Sequence, residues 1–201
     1  MSAAATAAPR TIPKPHEVES LDALATALDQ ATHEDRLKWM YGVSGRQMKK
    51  LFAMAEGNPV YLDDLLDPSG EPVECLGKNG LPIRLFNRFA KVFVRVEGQG
   101  LGYNKGPRWY TWFTGPGYYV AQDANEGTEG APGEVHIDYR VVPATTHSTL
   151  PAVRSNYRGI VPRLVFGGMY DLLRRVSQHV YVGDAFRTFP PTAPFLLVRP
   201  S

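Results

Sequence analysis

Polar and apolar side chains alternate in Glu134-Val135-His136-Ile137-Asp138-Tyr139-Arg140-Val141. A period of two puts Val135, Ile137, Tyr139 and Val141 on one face of a strand, and Glu134, His136, Asp138 and Arg140 on the other. His136 and Asp138 are then same-face neighbours, a carboxylate placed to orient or charge an imidazole for proton transfer. Tyr139 or Tyr103 would supply the hydroxyl that steadies a developing oxyanion. The same alternation also describes a half-exposed strand whose polar face meets water. Acid–base catalysis therefore requires His136 inside a cavity.

A second constellation runs from Gly98 to Val120, GQGLGYNKGPRWYTWFTGPGYYV, where Tyr103, Trp109, Tyr110, Trp112, Phe113, Tyr118 and Tyr119 are interleaved with glycines. Aromatic rings bury large areas, and glycine lets backbone turn sharply or approach a ligand closely. Such a segment can wall a pocket for an apolar molecule, form the bend of a curved sheet, or present a protein-docking patch. In the pocket reading Tyr103, Trp109, Trp112, Phe113, Tyr118 and Tyr119 line the site, and Arg174 or Tyr139 fixes a polar group of the ligand. Tyr103-Asn104-Lys105 would touch a polar ligand head or simply form a surface hairpin. Gly98-x-Gly100-x-Gly102 lacks the dinucleotide-binding spacing and is expected at a bend or bulge. Asp171, Arg174 and Arg175 would form an intrahelical ion-pair set if that stretch is helical.

Other chemistries have little behind them. The histidines at 16, 33, 136, 147 and 179 show no metal-ligand spacing. A site assembled from His136, His179 and Asp184 is the remaining alternative, and neither metal nor cofactor is expected. There is no phosphate-binding loop and no nucleophile elbow. The lone Cys75 rules out a disulfide within the chain and reads as structural or incidental.

The elements that would position these groups begin with helices. Ser20 precedes Leu21, Leu24, Ala25 and Leu28 at helical spacing. Thr32 with Asp35 opens a second helix carrying Leu37, Met40 and Tyr41 and stopping at Gly42. Ser44 with Gln47 opens a third, with Met48, Leu51, Phe52 and Ala55, ended by Gly57. From Asp67 onward Asp67-Pro68-Ser69-Gly70 and Lys78-Asn79-Gly80-Leu81-Pro82 mark turns. Strands are predicted over 88–96, 109–114, 117–122, 135–143, 163–166, 180–187 and 195–199, with 123–133 an exposed hairpin loop. Met169 to His179 reads as a helix across a barrel mouth, with a strand open for its last part.

Composition bounds the rest. The chain has 201 residues, 22 basic against 20 acidic side chains and a net charge of +2, a balance that argues against a dedicated nucleic-acid binder. No apolar run approaches the ~20 residues of a membrane-spanning helix, so a soluble, cytoplasmic protein is expected. Residues 1–17 read as a disordered leader, 18–66 as a helical segment, and 67–201 as a barrel-like region forming one unit with it.

Arg158-Gly159-Ile160-Val161, Leu164-Val165-Phe166, Asp171, Arg174-Arg175-Val176, Val182-Gly183 and Phe195-Leu196-Leu197-Val198-Arg199 follow in an order that resembles the ending of small bacterial GXWXG/DUF4334-type domains. The resemblance covers roughly the last fifth of the chain. It implies a lipocalin-like curved sheet and supplies no catalytic residue. The expected fold class is α+β, with short N-terminal helices on a strongly bent antiparallel sheet or lipocalin-like β-barrel of roughly seven to nine strands. The expected function is binding of a hydrophobic small molecule such as a lipid, pigment or polyketide-like metabolite. Alternatives are a cofactor-free isomerase, cyclase or dehydratase using His136, Asp138 and Tyr139, and a protein-interaction module.

Overall fold

Alternation in the sheet segments and tight turns between them produce a meander that closes on itself. The computed structural model describes residues 11–81, 87–187 and 193–200, with Tyr110 described by its backbone alone. The strands are β1 (Val73–Asn79), β2 (Arg88–Val96), β3 (Gln99–Lys105), β4 (Tyr118–Asp123), β5 (Val135–Asp138), β6 (Tyr170–Arg175), β7 (Val180–Phe186) and β8 (Phe195–Val198). Each pairs antiparallel with the next, and β8 pairs back onto β1, giving a closed eight-stranded antiparallel barrel with a few helices. Closure leaves no unpaired sheet edge. Glu97 and Gly98, both at positive φ (52° and 81°), turn β2 into β3 as a type I′ hairpin.

Cross-strand register settles which face is inside. Cys75 pairs with Lys91, Lys91 with Asn104, Phe93 with Gly102, Gly102 with Tyr119, and Ile137 with Asp171. These positions face the lumen, which Val73, Phe93, Tyr119, Ile137, Leu173, Tyr181, Phe195 and Leu197 fill. Glycine makes room for the rings. A Cβ on Gly183 would strike the Phe195 ring, and one on Gly102 would strike the Val92 carbonyl and the Tyr119 ring. Val60, Leu62, Leu65 and Leu66, around a one-turn 3-10 helix at Leu62–Asp64, plug the end that holds the β2–β3 hairpin.

Helices α1 (Leu21–Asp29), α2 (His33–Gly42) and α3 (Gly45–Met54) cover the outside of β7 and β8. Leu24, Leu28, Trp39, Met40, Val43, Met48 and Leu51 bury against Val180, Val182, Leu196 and Val198. Thr32 caps α2 by accepting from the Asp35 amide, and Ser44 and Gln47 form the expected reciprocal capping box, whereas the Ser20 side chain makes no cap. Residues 11–17 of the predicted leader are not detached. Ile12 packs on the helices, and the Pro13 carbonyl accepts a 2.9 Å bond from Trp39 Nε1. Residues 1–10, and Pro82 of the second predicted turn, lie outside the described residues.

Three local expectations fail, because the presence or absence of a partner strand overrides local preference. Residues 109–114 and 163–166, predicted as strands from their aromatic and β-branched content, belong to helices α4 (Arg108–Thr114) and α5 (Ile160–Phe166). The 169–179 stretch, predicted as a helix from its Leu and Met spacing, supplies β6, held between β5 and β7. Of Gly98, Gly100 and Gly102, expected at a bend or bulge, Gly98 sits in the β2–β3 turn, whereas Gly100 and Gly102 lie within strand β3, at the gaps into which Leu62 and Tyr119 project.

Gly102→Ala should therefore lose about 1–3 kcal/mol of stability in urea unfolding, since its Cβ meets backbone that cannot swing aside. An alanine variant as stable as the parent would show that the barrel wall yields there.

Candidate functional site

Strands β2 and β6 lie four places apart in the ring of eight and so face each other across the lumen. Lys91 of β2 is 2% exposed and crosses that space. Its Nζ donates to Asp171 Oδ2 of β6 at 2.8 Å, to Asn104 Oδ1 of β3 at 3.1 Å, and to the Tyr139 hydroxyl just beyond β5. Asn104 Nδ2 donates to Tyr139 Oη at 2.9 Å. The Tyr139 hydroxyl lies 3.2 Å from Asp171 Oδ2 and 3.3 Å from Asn104 Oδ1, the acceptors open to its single proton. The ammonium is walled by the rings of Tyr139, Tyr119, Phe195 and Phe89, with centroids 4.9, 5.0, 5.1 and 5.9 Å from Nζ. Phe166 of α5 covers the cluster, its ring stacked on Tyr139 at 5.6 Å and 14°.

All three ammonium protons have acceptors. Asp171 Oδ1 is the exception in the cluster, a buried carboxylate oxygen with no hydrogen-bond partner among the described residues. Burial pushes the Lys91 ammonium below its ordinary range, and the neighbouring Asp171 carboxylate offsets part of that fall. Burial, reinforced by the Asp171 charge, pushes the phenols of Tyr139 and Tyr119 well above theirs, so both remain neutral hydrogen-bonding groups. Cys75, facing Lys91 across the β1–β2 pair, has its thiol pushed up to about 12 by burial and is inert as a nucleophile.

Only two of the residues expected in the site face this interior: Tyr139, and Tyr119, whose hydroxyl donates to the Val92 carbonyl at 3.0 Å. His136 and Asp138 occupy the outer face of β5, because the apolar half of that alternation fills the lumen. The His136 ring is buried beside Tyr170, with Nε2 3.1 Å from a Glu129 carboxylate oxygen but without hydrogen-bond geometry. Asp138 bonds Arg140 instead. Proton transfer by that pair inside the barrel is thereby excluded. Tyr103 and Tyr118 pack against each other with centroids 5.6 Å apart outside the wall, under Val142, Leu150 and Val153. Trp109, Trp112 and Phe113 project from α4 into solvent rather than into a pocket. Arg174, also outside, binds Glu134 and the Phe52 carbonyl and ties α3 to the barrel.

Lys91 and Asp171 are the residues the sequence reading missed. The signal present was period two in Phe89-Ala90-Lys91-Val92-Phe93, which puts a lysine on the same face as two phenylalanines.

Lys91→Met should cost about 3–5 kcal/mol in urea unfolding, because it strands the Asp171 charge. The double variant Lys91→Met/Asp171→Leu should recover most of that loss, as apolar replacements of buried pairs commonly do. Equal losses in the two variants would show that the pair is not coupled. Outside the barrel, burial lowers the His136 pKa, so the unfolded chain binds the extra proton first as pH falls. Stability should drop on acidification from about pH 6.5, the ordinary histidine value, and His136→Phe should flatten that slope.

The chain matches no protein-family model, no curated protein and no solved structure, which leaves its chemistry to be read from these residues.

Proposed function

We propose that the Phe166 end of the barrel binds a small apolar molecule carrying a hydroxyl or N–H group, which moves that ring aside to seat against the Lys91–Asp171–Tyr139–Asn104 cluster. The observation that carries this reading is Asp171 Oδ1, a carboxylate oxygen inside an aromatic-walled lumen with no donor of its own among the described residues. Leaving such an acceptor bare costs on the order of 1–3 kcal/mol or more, and stability alone gives no reason to retain it. The cluster is also net neutral, since Lys91 and Asp171 cancel, and the ammonium protons are spoken for. A free carboxylate ligand would meet the Asp171 charge without a free cation to receive it, whereas an alcohol, phenol or amine would donate to Oδ1. The apolar body would lie among Phe89, Met169 and Val165, half-buried residues at the barrel end nearest the cluster.

Catalysis is the second reading, and one observation favours it. Lys91, with its lowered pKa, and neutral Tyr139 touch the same carboxylate, an arrangement suited to moving a proton on a bound enol or alcohol. It places acid–base chemistry on these residues and not on His136.

Native mass spectrometry of the purified protein, followed by titration with a long-chain alcohol and its methyl ether, tests binding. The alcohol should bind about 10- to 100-fold tighter than the ether, the worth of a hydrogen bond to a charged acceptor. Asp171→Asn should erase most of that preference. Absence of saturable binding by either compound and of any co-purifying molecule, or an unchanged preference in Asp171→Asn, refutes the assignment.

A further inference from the structure

The barrel end above the cluster carries an unusual surface. Helix α4 presents Trp109, Trp112 and Phe113 outward, at i, i+3 and i+4, with Trp112 74% exposed and its indole edge-on to Phe113 at 4.5 Å. Helix α5, in contact with α4, presents Ile160, Val161 and Leu164, with Ile160 85% exposed. A helix on a globular domain ordinarily turns its apolar stripe inward. Among the described side chains Phe166 does so fully and Val165 in part, while Trp109, Trp112, Phe113, Ile160, Val161 and Leu164 face water. The helix is nonetheless well anchored, since Arg187 Nη1 donates to the Leu164 and Val165 carbonyls at 2.7 and 2.8 Å.

The two segments that build the patch carry charge of one sign. Residues 98–122 and 139–170, which contain both helices and their flanks, include no Asp or Glu. Arg108, Arg154, Arg158 and Arg163 are exposed there, and among the described residues none of them is in an ion pair. The chain as a whole is nearly neutral, so this is a local concentration. Arginines bordering exposed Trp, Phe, Ile and Leu are what an anionic bilayer surface recognises: guanidinium groups at the phosphates, apolar side chains below them. Aliphatic Ile160, Val161 and Leu164 offer no faces on which nucleobases stack, which disfavours single-stranded nucleic acid as the occupant.

We infer that α4 and α5 form a peripheral docking surface for anionic membranes, placing the barrel end that holds Phe166 and the buried cluster against the bilayer. Phe166 joins the two levels, because the helix that would insert Ile160 and Leu164 also holds the ring over Tyr139. Docking would thus act on the residue that covers the site, and it stands on observations separate from those that carry ligand binding.

The test is sedimentation of the whole protein with phosphatidylcholine vesicles containing about one-third phosphatidylserine, beside vesicles of phosphatidylcholine alone. The protein should pellet with the anionic vesicles, lose that binding when salt rises to about 0.5 M, and shift its tryptophan emission to the blue. Charge reversal at Arg108, Arg158 and Arg163 should weaken partitioning at least about a hundred-fold. Trp112→Ser/Leu164→Ser, checked as folded by circular dichroism, should abolish the emission shift. Failure to pellet with anionic vesicles overturns the inference, as does binding unchanged in either variant. Capture of a single-stranded oligonucleotide in place of vesicles, or a stable dimer dissolved by Trp112→Ser, would assign the patch to another partner and overturn it too. The vesicle readout needs no ligand, so its failure is distinguishable from failure of the binding reading.

Discussion

The Lys91–Asp171 pair is the interaction around which this barrel is arranged. It joins opposite walls through the centre of the lumen, where a charge left alone would be intolerable. Its burial dictates its surroundings. The ammonium needs three acceptors, which Asp171, Asn104 and Tyr139 provide, and it needs electron-rich ring faces on its remaining sides. Those rings in turn require space, and Gly102 and Gly183 lie where Tyr119 and Phe195 project. The glycine content of the strands is thus a consequence of a wide polar–aromatic cluster inside a narrow barrel.

The two ends of the barrel are unequal for the same reason. At the β2–β3 hairpin end, aliphatic Leu62, Leu65 and Leu66 close the lumen. At the other end the cluster sits beneath Phe166, carried on a helix of about two turns whose outer face is apolar, with Phe89, Val165 and Met169 packed beside it. The polar cluster, the Phe166 ring over it and the basic apolar surface lie at the same end of the barrel, which is why ligand capture and surface docking are read as separate properties of that end.

Local signals were reliable where the physics is local. The capping boxes at Thr32 and Ser44 and the apolar spacing of Met48 and Leu51 depend on neighbours within four residues, and the helices appear where they indicate. The alternating β5, and β2 and β7 with their β-branched and aromatic content, were equally legible. Errors fell where two local readings are degenerate. Leu172 and Leu173 beside Arg174 and Arg175 fit a helix face as well as a strand, and only pairing with β5 and β7 makes them β6. Trp109 to Thr114 favours strand by composition, yet no partner strand is available to it, and it closes its hydrogen bonds within a helix instead.

The sequence by itself determined the capped helices at Thr32 and Ser44 and the alternation of β5, which sets Tyr139 and His136 on opposite faces. Tertiary structure alone decided that Lys91, Asn104, Tyr139 and Asp171 meet. They come from different strands or strand ends, and the pair at the centre is separated by 80 positions. Periodicity states which residues share a face but not which faces oppose each other, and that information arises only when β8 pairs back onto β1 and closes the ring. The outward fate of His136 and of the tryptophans was settled by the same closure, because the lumen of a small barrel has room for one set of side chains and the apolar set with the Lys91 cluster occupies it.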